Sequence, residues 1–427
     1  MFNLFYIDLL CSKQFYMRKI YLYTLVSLLF IDFCHAQMID RATQDVQVDI
    51  IYLASDVLQG REPGTMGETL AAEYIASRFE EIGLSPVYEG DSWYQSFDVS
   101  FSTNPHAEPG SGEKRTAKNV LGYLDNGSDH TVIIGAHYDH LGYGEFGSRH
   151  TGEKAIHNGA DDNASGIAAM LYIAKNLTES DAKHNNYLFI AFSAEEMGLY
   201  GSKYFVNNPW LQLDDVNYML NMDMVGRLNE NKVLVINGAG TSPAWEEAIQ
   251  SIEVADISPK TTPSGVGPSD HTSFYLKDIP VLHFFTGQHT DYHKPEDDSH
   301  LINFQGVREV GDFILALIEE VDEKTPLEFS KTKDESENRQ VSRFKVSLGV
   351  MPDYVHEGEG MRIDAVLDDR PGAKAGLEDG DVVIKIGEYE VTDIYTYMDA
   401  LSKYENGDTV TIVVLRGEKK VEKEVTF

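Results

Sequence analysis

From Asn119 onward the chain alternates short apolar runs with longer amphipathic ones. Asn119–Leu124, Thr131–Ala136, Tyr187–Phe192, Tyr218–Met222, Val233–Asn237 and Val281–Phe285 are short and rich in β-branched and aromatic residues, as buried strands are. Between them Ala164–Leu177 reads as an apolar helix, 242–254 as a second, and Phe304–Val321 as a long amphipathic one. Upstream, 44–58 and 66–82 also read as helices. In the latter, Leu70, Ala71, Tyr74, Ile75, Phe79 and Ile82 recur with a 3.6-residue period. Residues 101–118 are polar and rich in Gly, Pro and Ser, which predicts a surface loop. Strands alternating with helices predict an α/β fold with a central mixed, mostly parallel sheet flanked by helices.

The pattern changes at both ends. Residues 322–342 are charged, poor in apolar side chains and contain Pro326, so they predict a linker. It separates a domain over 37–321 from a small β-rich region over 343–427 with Gly at 349, 358, 360, 372, 376, 380 and 387. At the other end, Met17-Arg18-Lys19 is basic, Ile20–Phe33 is apolar, and Cys34-His35-Ala36 before Gln37 has the form of a cleavage site. This predicts a signal peptide within 1–36, with Met17 a candidate start. The apolar run carries Asp32 and falls short of the roughly 20 residues of a membrane-crossing helix. The expectation is an exported protein, periplasmic or secreted, with no stable membrane span after cleavage. Phe33 argues against a lipid anchor on Cys34. Cys11 and Cys34 are the two cysteines and both lie in this segment. The mature protein is thus expected to lack disulfides and to bind any metal through nitrogen and oxygen.

At 427 residues the chain exceeds what one core usually serves. Its 42% hydrophobic and 24% charged content excludes a fibrous or wholly disordered protein. Lys plus Arg total 35 against 69 Asp plus Glu, a net charge of -34. Such a surface repels phosphate backbones and excludes nucleic-acid binding as the main role.

Five polar clusters carry the candidate chemistry: GAHYDHLG (135–142), NGADDNASG (158–166), FSAEEMGLYGS (192–202), NMDMVGR (221–227) and DYHKPEDD (291–298). Four follow predicted strands and one precedes a helix, and ligands of open α/β sheets bind beyond the strands' carboxyl ends. Taken singly, each has a plain explanation. A lone histidine after a strand is usually a surface or hydrogen-bonded one, Asp161-Asp162 could cap a helix, and Glu195-Glu196 could be solvated. Asp223 resists this, because its apolar neighbours predict burial, which is costly for a carboxylate without a partner or metal. Histidine and carboxylate ligands suit zinc, and two ions need a bridging carboxylate and an open position for water. Other chemistries lack their motifs. Neither H-E-x-x-H nor G-x-S-x-G occurs. Gly142-x-Gly144-x-x-Gly147 matches a dinucleotide fingerprint without the helix that should follow, so it predicts only a flexible loop.

In order and context, these five motifs resemble those of the co-catalytic zinc exopeptidases of the aminopeptidase Y type, which share a superfamily with glutamate carboxypeptidases and glutaminyl cyclases. The resemblance covers about 45–320. It implies two Zn2+ ions held by His137, Asp162, Glu196, Asp223 and His293, with Asp162 bridging. It implies that Asp139 orients His137, that Glu195 is the general base, and that Tyr292 stabilises the oxyanion. It also implies a cis peptide at Asp162–Asn163 and peptide substrates with a free N-terminus. Asp161 could exchange roles with Asp162, though the D-N-A-S-G context favours Asp162. His140, His157, His289 and His300 are not expected as ligands, and Asp270-His271 is expected at the pocket wall. Retention of His137 with the other four ligands argues for two metals, against a one-metal cyclase. A dipeptidase or carboxypeptidase of the same superfamily is the alternative enzyme.

Residues 343–427 resemble a bacterial PDZ domain. Ser347-Leu348-Gly349-Val350 matches the carboxylate-binding loop, and Arg370–Leu377 followed by Gly380-Asp381-Val382-Val383 matches the helix and strand signature. Leu348, Gly349 and Val350 would then hold a C-terminal peptide. The competing role is a spacer with an unused groove. A catalytically silent peptide-binding protein would have lost a ligand or the base, and none is missing.

Overall fold

Four apolar runs, β3 (Thr131–His137), β4 (Asn186–Phe192), β5 (Val216–Met222) and β8 (Val281–Phe285), form the parallel centre of an eight-stranded sheet. Successive side chains point to opposite faces. In β4, Tyr187, Phe189 and Ala191 enter one core, and Leu188, Ile190 and Phe192 the other. Both faces are covered, so the run is apolar throughout instead of alternating. The first core is closed by α1 (Arg41–Leu53), α2 (Met66–Ile82), α3 (Gly166–Leu177), α5 (Trp245–Ser251) and α7 (Phe304–Val321). The second is closed by α4 (Tyr200–Asn207) and α6 (His271–Tyr275).

The remaining strands are β1 (Tyr94–Phe101), β2 (Glu113–Leu124), β6 (Val233–Asn237) and β7 (Ser258–Thr262), giving the order β1-β2-β4-β3-β5-β8-β6-β7. The pairs β1/β2, β2/β4 and β8/β6 are antiparallel, and the other four are parallel. The predicted mixed, mostly parallel sheet is therefore present.

The structure, a computed structural model, describes residues 40–90, 92–101, 113–324, 326–332, 346–352, 360–366, 370–392, 394–417 and 419–427. The segment read as a signal peptide, both cysteines, and residues 333–342 of the predicted linker lie outside them. The chain divides into Met1–Asp45, whose described residues 40–45 lead into and begin α1, and Val46–Phe427. No helix among the described residues is long and apolar enough to cross a membrane.

Three sequence expectations need correction. Residues 113–118, expected in a loop, are strand and pair with 96–101 of β1 in an antiparallel ribbon. Their polar side chains sit on a largely exposed strand end, which hides the strand signal. The helix expected to begin at Ala164 begins at Gly166, after an irregular turn over Ala160–Ser165. Finally, the first part of the predicted linker is docked chain. Asp322 accepts from His184 Nδ1 at 2.8 Å, the Leu327 amide donates to Asn217 Oδ1 at 2.7 Å, and the Thr332 amide donates to the Tyr275 hydroxyl at 3.1 Å.

The C-terminal region has a core of its own, built from residues such as Leu348, Ile363, Val383, Leu401 and Ile412. Its sheet runs β14 (Lys419–Thr426), β13 (Thr409–Arg416), β11 (Val382–Ile386), β10 (Met361–Val366), β9 (Val350–Pro352), with β12 (Tyr389–Glu390) beside β11. Helices α8 (Pro371–Ala375) and α9 (Ile394–Leu401) complete it. Leu348 is buried and its carbonyl accepts from the Gly372 amide at 2.7 Å, which fixes the 347–350 loop against α8. Gly349 has φ +67, and a Cβ there would lie 2.1 Å from Arg370 Cβ, so the loop requires glycine.

Docking of the 322–332 segment makes a prediction. Asn217 also donates to Asn185 Oδ1 at 2.9 Å. Asn217→Ala strips partners from two buried groups and should cost about 1–3 kcal/mol, read as a lower denaturant midpoint at unchanged slope.

Candidate metal centre

The parallel strands β4, β3, β5 and β8 lie side by side, so their carboxyl ends open on one edge of the sheet. His137 ends β3, Glu195 and Glu196 follow β4, Asp223 follows β5, and Tyr292 and His293 lie on the loop after β8. Asp162 reaches the same edge from the turn before α3, where the 162–163 peptide is cis, as the resemblance implies.

That turn is buried and irregular, and side chains satisfy its backbone and tie it to the Asp223 loop. Asn163 Nδ2 donates to the Met222 carbonyl at 3.0 Å, and its Oδ1 accepts from the Met224 amide at 3.2 Å. Ser165 Oγ accepts from the Val225 amide at 3.0 Å. Gly159 has φ +56, and a Cβ there would lie 2.2 Å from the Asp162 carbonyl oxygen and 2.5 Å from the His140 ring. Ala194, Met224 and His293 are non-glycine residues at φ +57, +53 and +57, each next to or at a candidate site position. Left-handed backbone at such residues costs about 1–3 kcal/mol each and concentrates where packing dictates side-chain aim.

Asp162 stands between two histidines. Its Oδ1 is 3.2 Å from His137 Nε2, and its Oδ2 is 3.2 Å from His293 Nε2. Asp223 Oδ1 is 3.4 Å from His137 Nε2, and Glu196 Oε2 is 3.0 Å from His293 Nε2. Two ligand atoms on a tetrahedral zinc with arms of about 2.0–2.1 Å are about 3.3 Å apart. The spacings match that edge. His293 Nε2 is buried and makes no hydrogen bond despite its two carboxylate neighbours. His137, Asp162 and Asp223 can thus hold one cation, and His140, Asp162 and Glu196 another; His293 Nε2 also lies within 3.2 Å of Asp162 and Glu196. These residues fit metal ions.

Other predicted residues fall around this set. Asp139 is fully buried. Its carboxylate lies 3.6 Å and its carbonyl 3.3 Å from His137 Nδ1, and the carboxylate accepts from the amides of Glu195 at 3.1 Å and Glu196 at 3.3 Å. It therefore shapes the Glu-Glu turn at least as directly as it orients His137. The Tyr292 ring stacks on His293 with centroids 3.8 Å apart. Asp161 faces away, accepting from the Gly226 amide at 2.6 Å and pairing with His289 at 3.1 Å. His157 bonds Ser148, and His300 lies at the surface 3.8 Å from Asp298. Asp223 is less enclosed than its neighbours predict, with its side chain 14% exposed. Asp270 is buried, with neither carboxylate oxygen hydrogen-bonded.

Sequence reasoning understated His140. Its Nδ1 is 2.8 Å from Glu196 Oε1 and 4.0 Å from Asp162 Oδ2, so it stands against the outer oxygen of Glu196. The signal was its position in H-Y-D-H, which puts it on the loop that follows His137.

Electrostatics follow from crowding carboxylates with few cations. Burial pushes Glu195 well above the ordinary carboxylate range, and Asp270, Asp223 and Glu196 push it further. Burial also raises Asp270, to about 7. Burial disfavours charge on Asp162 and Glu196 as well. It is overcome at Asp162 by His137 and His293, which hold it well below 3.8, and at Glu196 by His293, which holds it at about 2. His137 and His293 are raised well above 6.5: burial opposes their protonation, but Asp223 and Glu195 outweigh it at His137, and Glu196 at His293. Protons thus concentrate where cations would bind.

A mixed sheet with a histidine–carboxylate cluster at one edge is an α/β arrangement able to hold metal ions. Residues 119–318 match the model of peptidase family M28, and residues 329–427 match that of the PDZ domain. Aminopeptidase YwaD of Bacillus subtilis is 31% identical over 206 residues, 45% of this chain and 41% of that protein. The probable leucine aminopeptidase 2 of Aspergillus oryzae is 30% identical over 190 residues, 41% of this chain and 34% of that one. The chain thus spans about two fifths or less of the length of these relatives. In fold it is similar to BSAP, a zinc aminopeptidase from Bacillus subtilis, with TM-score 0.51 and 20% identity over 68% of this chain and 96% of that one. It is also similar to a Zn-dependent exopeptidase from Parabacteroides distasonis, with TM-score 0.51 and 18% identity over 65% and 97%.

Zinc added to chelator-treated protein should raise Tm, by more at pH 8 than at pH 5.5. The raised histidines stabilise the ion-free fold below their ordinary pKa, and that contribution fades as pH rises through their folded values. Zinc must displace the same protons, so its affinity grows with pH. Thermal shift with and without zinc across that range checks both signs.

Proposed function

We propose that the chain is an exported metallo-aminopeptidase that removes N-terminal residues from peptides at a two-zinc centre. The observation that carries this reading is Asp162, whose two oxygens each face a different histidine at 3.2 Å. His137, Asp162 and Asp223 would hold one ion, and Asp162, Glu196 and His293 the other. Together the ions would supply a Lewis acid for the scissile carbonyl and an activated water. His293 is preferred to His140 because it lies within 3.2 Å of both carboxylates.

The chain's own groups do the rest. Glu195, whose proton affinity is raised above all by burial and then by nearby carboxylates, takes a proton from the attacking water and returns it to the departing amine as the C–N bond breaks. The Tyr292 phenol is held protonated, above all by burial and then by the surrounding carboxylates, and donates to the oxyanion. The acidic surround attracts a free α-ammonium and disfavours internal bonds. The first 36 residues direct export, and residues 347–350 of the PDZ domain bind a peptide C-terminus by strand addition at β9.

An aminoacyl-p-nitroanilide panel with and without chelator tests the activity, beside N-acetylated counterparts. Chelator-sensitive cleavage of the free-amine compounds alone is expected. Turnover of internal or C-terminal bonds, or cyclisation of N-terminal Gln, would assign a different member of the superfamily. Glu195→Gln should retain zinc and lose about 10²–10⁴-fold in kcat. Normal turnover would remove Glu195 as the base. Deleting 343–427 should leave small-substrate hydrolysis intact; its collapse would make the PDZ domain part of the catalytic fold.

A further inference from the structure

The segment Asn158–Asp162 must be held without regular structure of its own. Gly159 is left-handed, and Asp162 and Asn163 have non-helical backbone angles, yet every residue from 158 to 163 is buried. Buried amides and carbonyls need partners. Two buried charges contribute partners from opposite sides. Arg61, 1% exposed, donates to the carbonyls of Asn158 at 2.6 Å and Gly159 at 3.0 Å. It also donates to the Tyr138 carbonyl at 2.6 Å and to the Leu53 carbonyl. Asp297, 0% exposed, accepts from the amides of Asp161 at 2.9 Å and Asp162 at 3.0 Å, while its own carbonyl accepts from the Ala160 amide at 3.1 Å.

The polarity is consistent: a guanidinium takes the carbonyls at one end of the segment, and a carboxylate takes the amides at the other. Each charge also joins a second ligand-bearing stretch. Tyr138 adjoins His137, and Asp297 lies four residues beyond His293. Arg227 Nη2 stands 3.3 Å from Asp297 and partly offsets its charge.

We propose that Arg61 and Asp297 are paired positioning residues that set the metal affinity of the centre by clamping the segment that carries Asp162. Neither touches a ligand side chain. The inference rests on Asp162 being a metal ligand. Charge-assisted bonds to backbone are short and directional, so they hold the Asp162 backbone closely. Loss of an outer partner of a metal ligand typically weakens metal binding about 10–100-fold.

The test uses the full chain with zinc: wild type, Asp297→Asn, Arg61→Lys, Arg61→Met and a remote control, Asp312→Asn. Asp312 on α7 accepts from Tyr172 of α3 and from Arg308 of α7, outside the ligand loops. Zinc per chain after dialysis against graded chelator is read beside the Tm of the ion-free proteins. The expected result is that Asp297→Asn loses zinc at about 10–100-fold lower chelator strength. Arg61→Lys, which keeps the charge with fewer donors, should fall between wild type and Arg61→Met. The control should lose Tm without losing zinc. If Asp297→Asn does not fold, the ranking of the Arg61 variants decides. Zinc retention equal to wild type in the folded variants, with only Tm lowered, would reduce both residues to ordinary stabilisers and overturn the proposal. Wild type that binds no zinc would instead overturn the metal reading beneath it.

Discussion

One carboxylate facing two imidazoles organises this site. Asp162 has to present one oxygen to His137 and the other to His293, residues 156 positions apart in the chain. A shared carboxylate tolerates little displacement, since a shift that favours one partner moves it from the other. The packing around the 158–165 turn answers that constraint. Left-handed glycine, an asparagine reaching across to β5, and buried charges on both sides leave the turn few alternatives.

The sheet explains why these candidate ligands meet. Four neighbouring strands run parallel, so the loops that leave them share an edge, and the helix after the Asp162 turn brings a fifth contribution to that edge. Hydrophobic burial on both faces makes this a rigid platform, while the chemistry lies in loops that pay in strained backbone at Ala194, Met224 and His293. Burial and then nearby carboxylates raise the proton affinity of Glu195, and carboxylates raise that of His137 and His293 against burial. One cluster of charges thus sets the protonation of Glu195 and of both histidines.

The C-terminal domain follows a different economy, with a small core of its own and an antiparallel sheet whose β9 pairs on one side only among the described residues. The chain between the domains is not uniform. Its first part is fastened to the peptidase domain by Asn217, Thr241 and Tyr275, although its composition reads as solvated linker. Charge and low hydrophobicity report solvent exposure of side chains; they carry no information about backbone hydrogen bonds, which fasten this stretch.

By itself the sequence determined six of the eight strands and most helices of the domain that precedes the linker, because continuous apolar runs and 3.6-residue periods reflect burial directly; β1 and β7 were not legible in it. It also carried the five motifs whose resemblance to a known family implies His137, Asp162, Glu196, Asp223 and His293 as ligands, since each cluster taken singly has a plain explanation. Only the tertiary structure decided which oxygen faces which nitrogen, that Asp161 turns away while Asp162 turns in, and that His140 supports Glu196. Only it showed that Arg61 and Asp297 converge on one turn. Those outcomes depend on distances between residues remote in the chain, and local pattern encodes the burial of a residue far better than the identity of its partner.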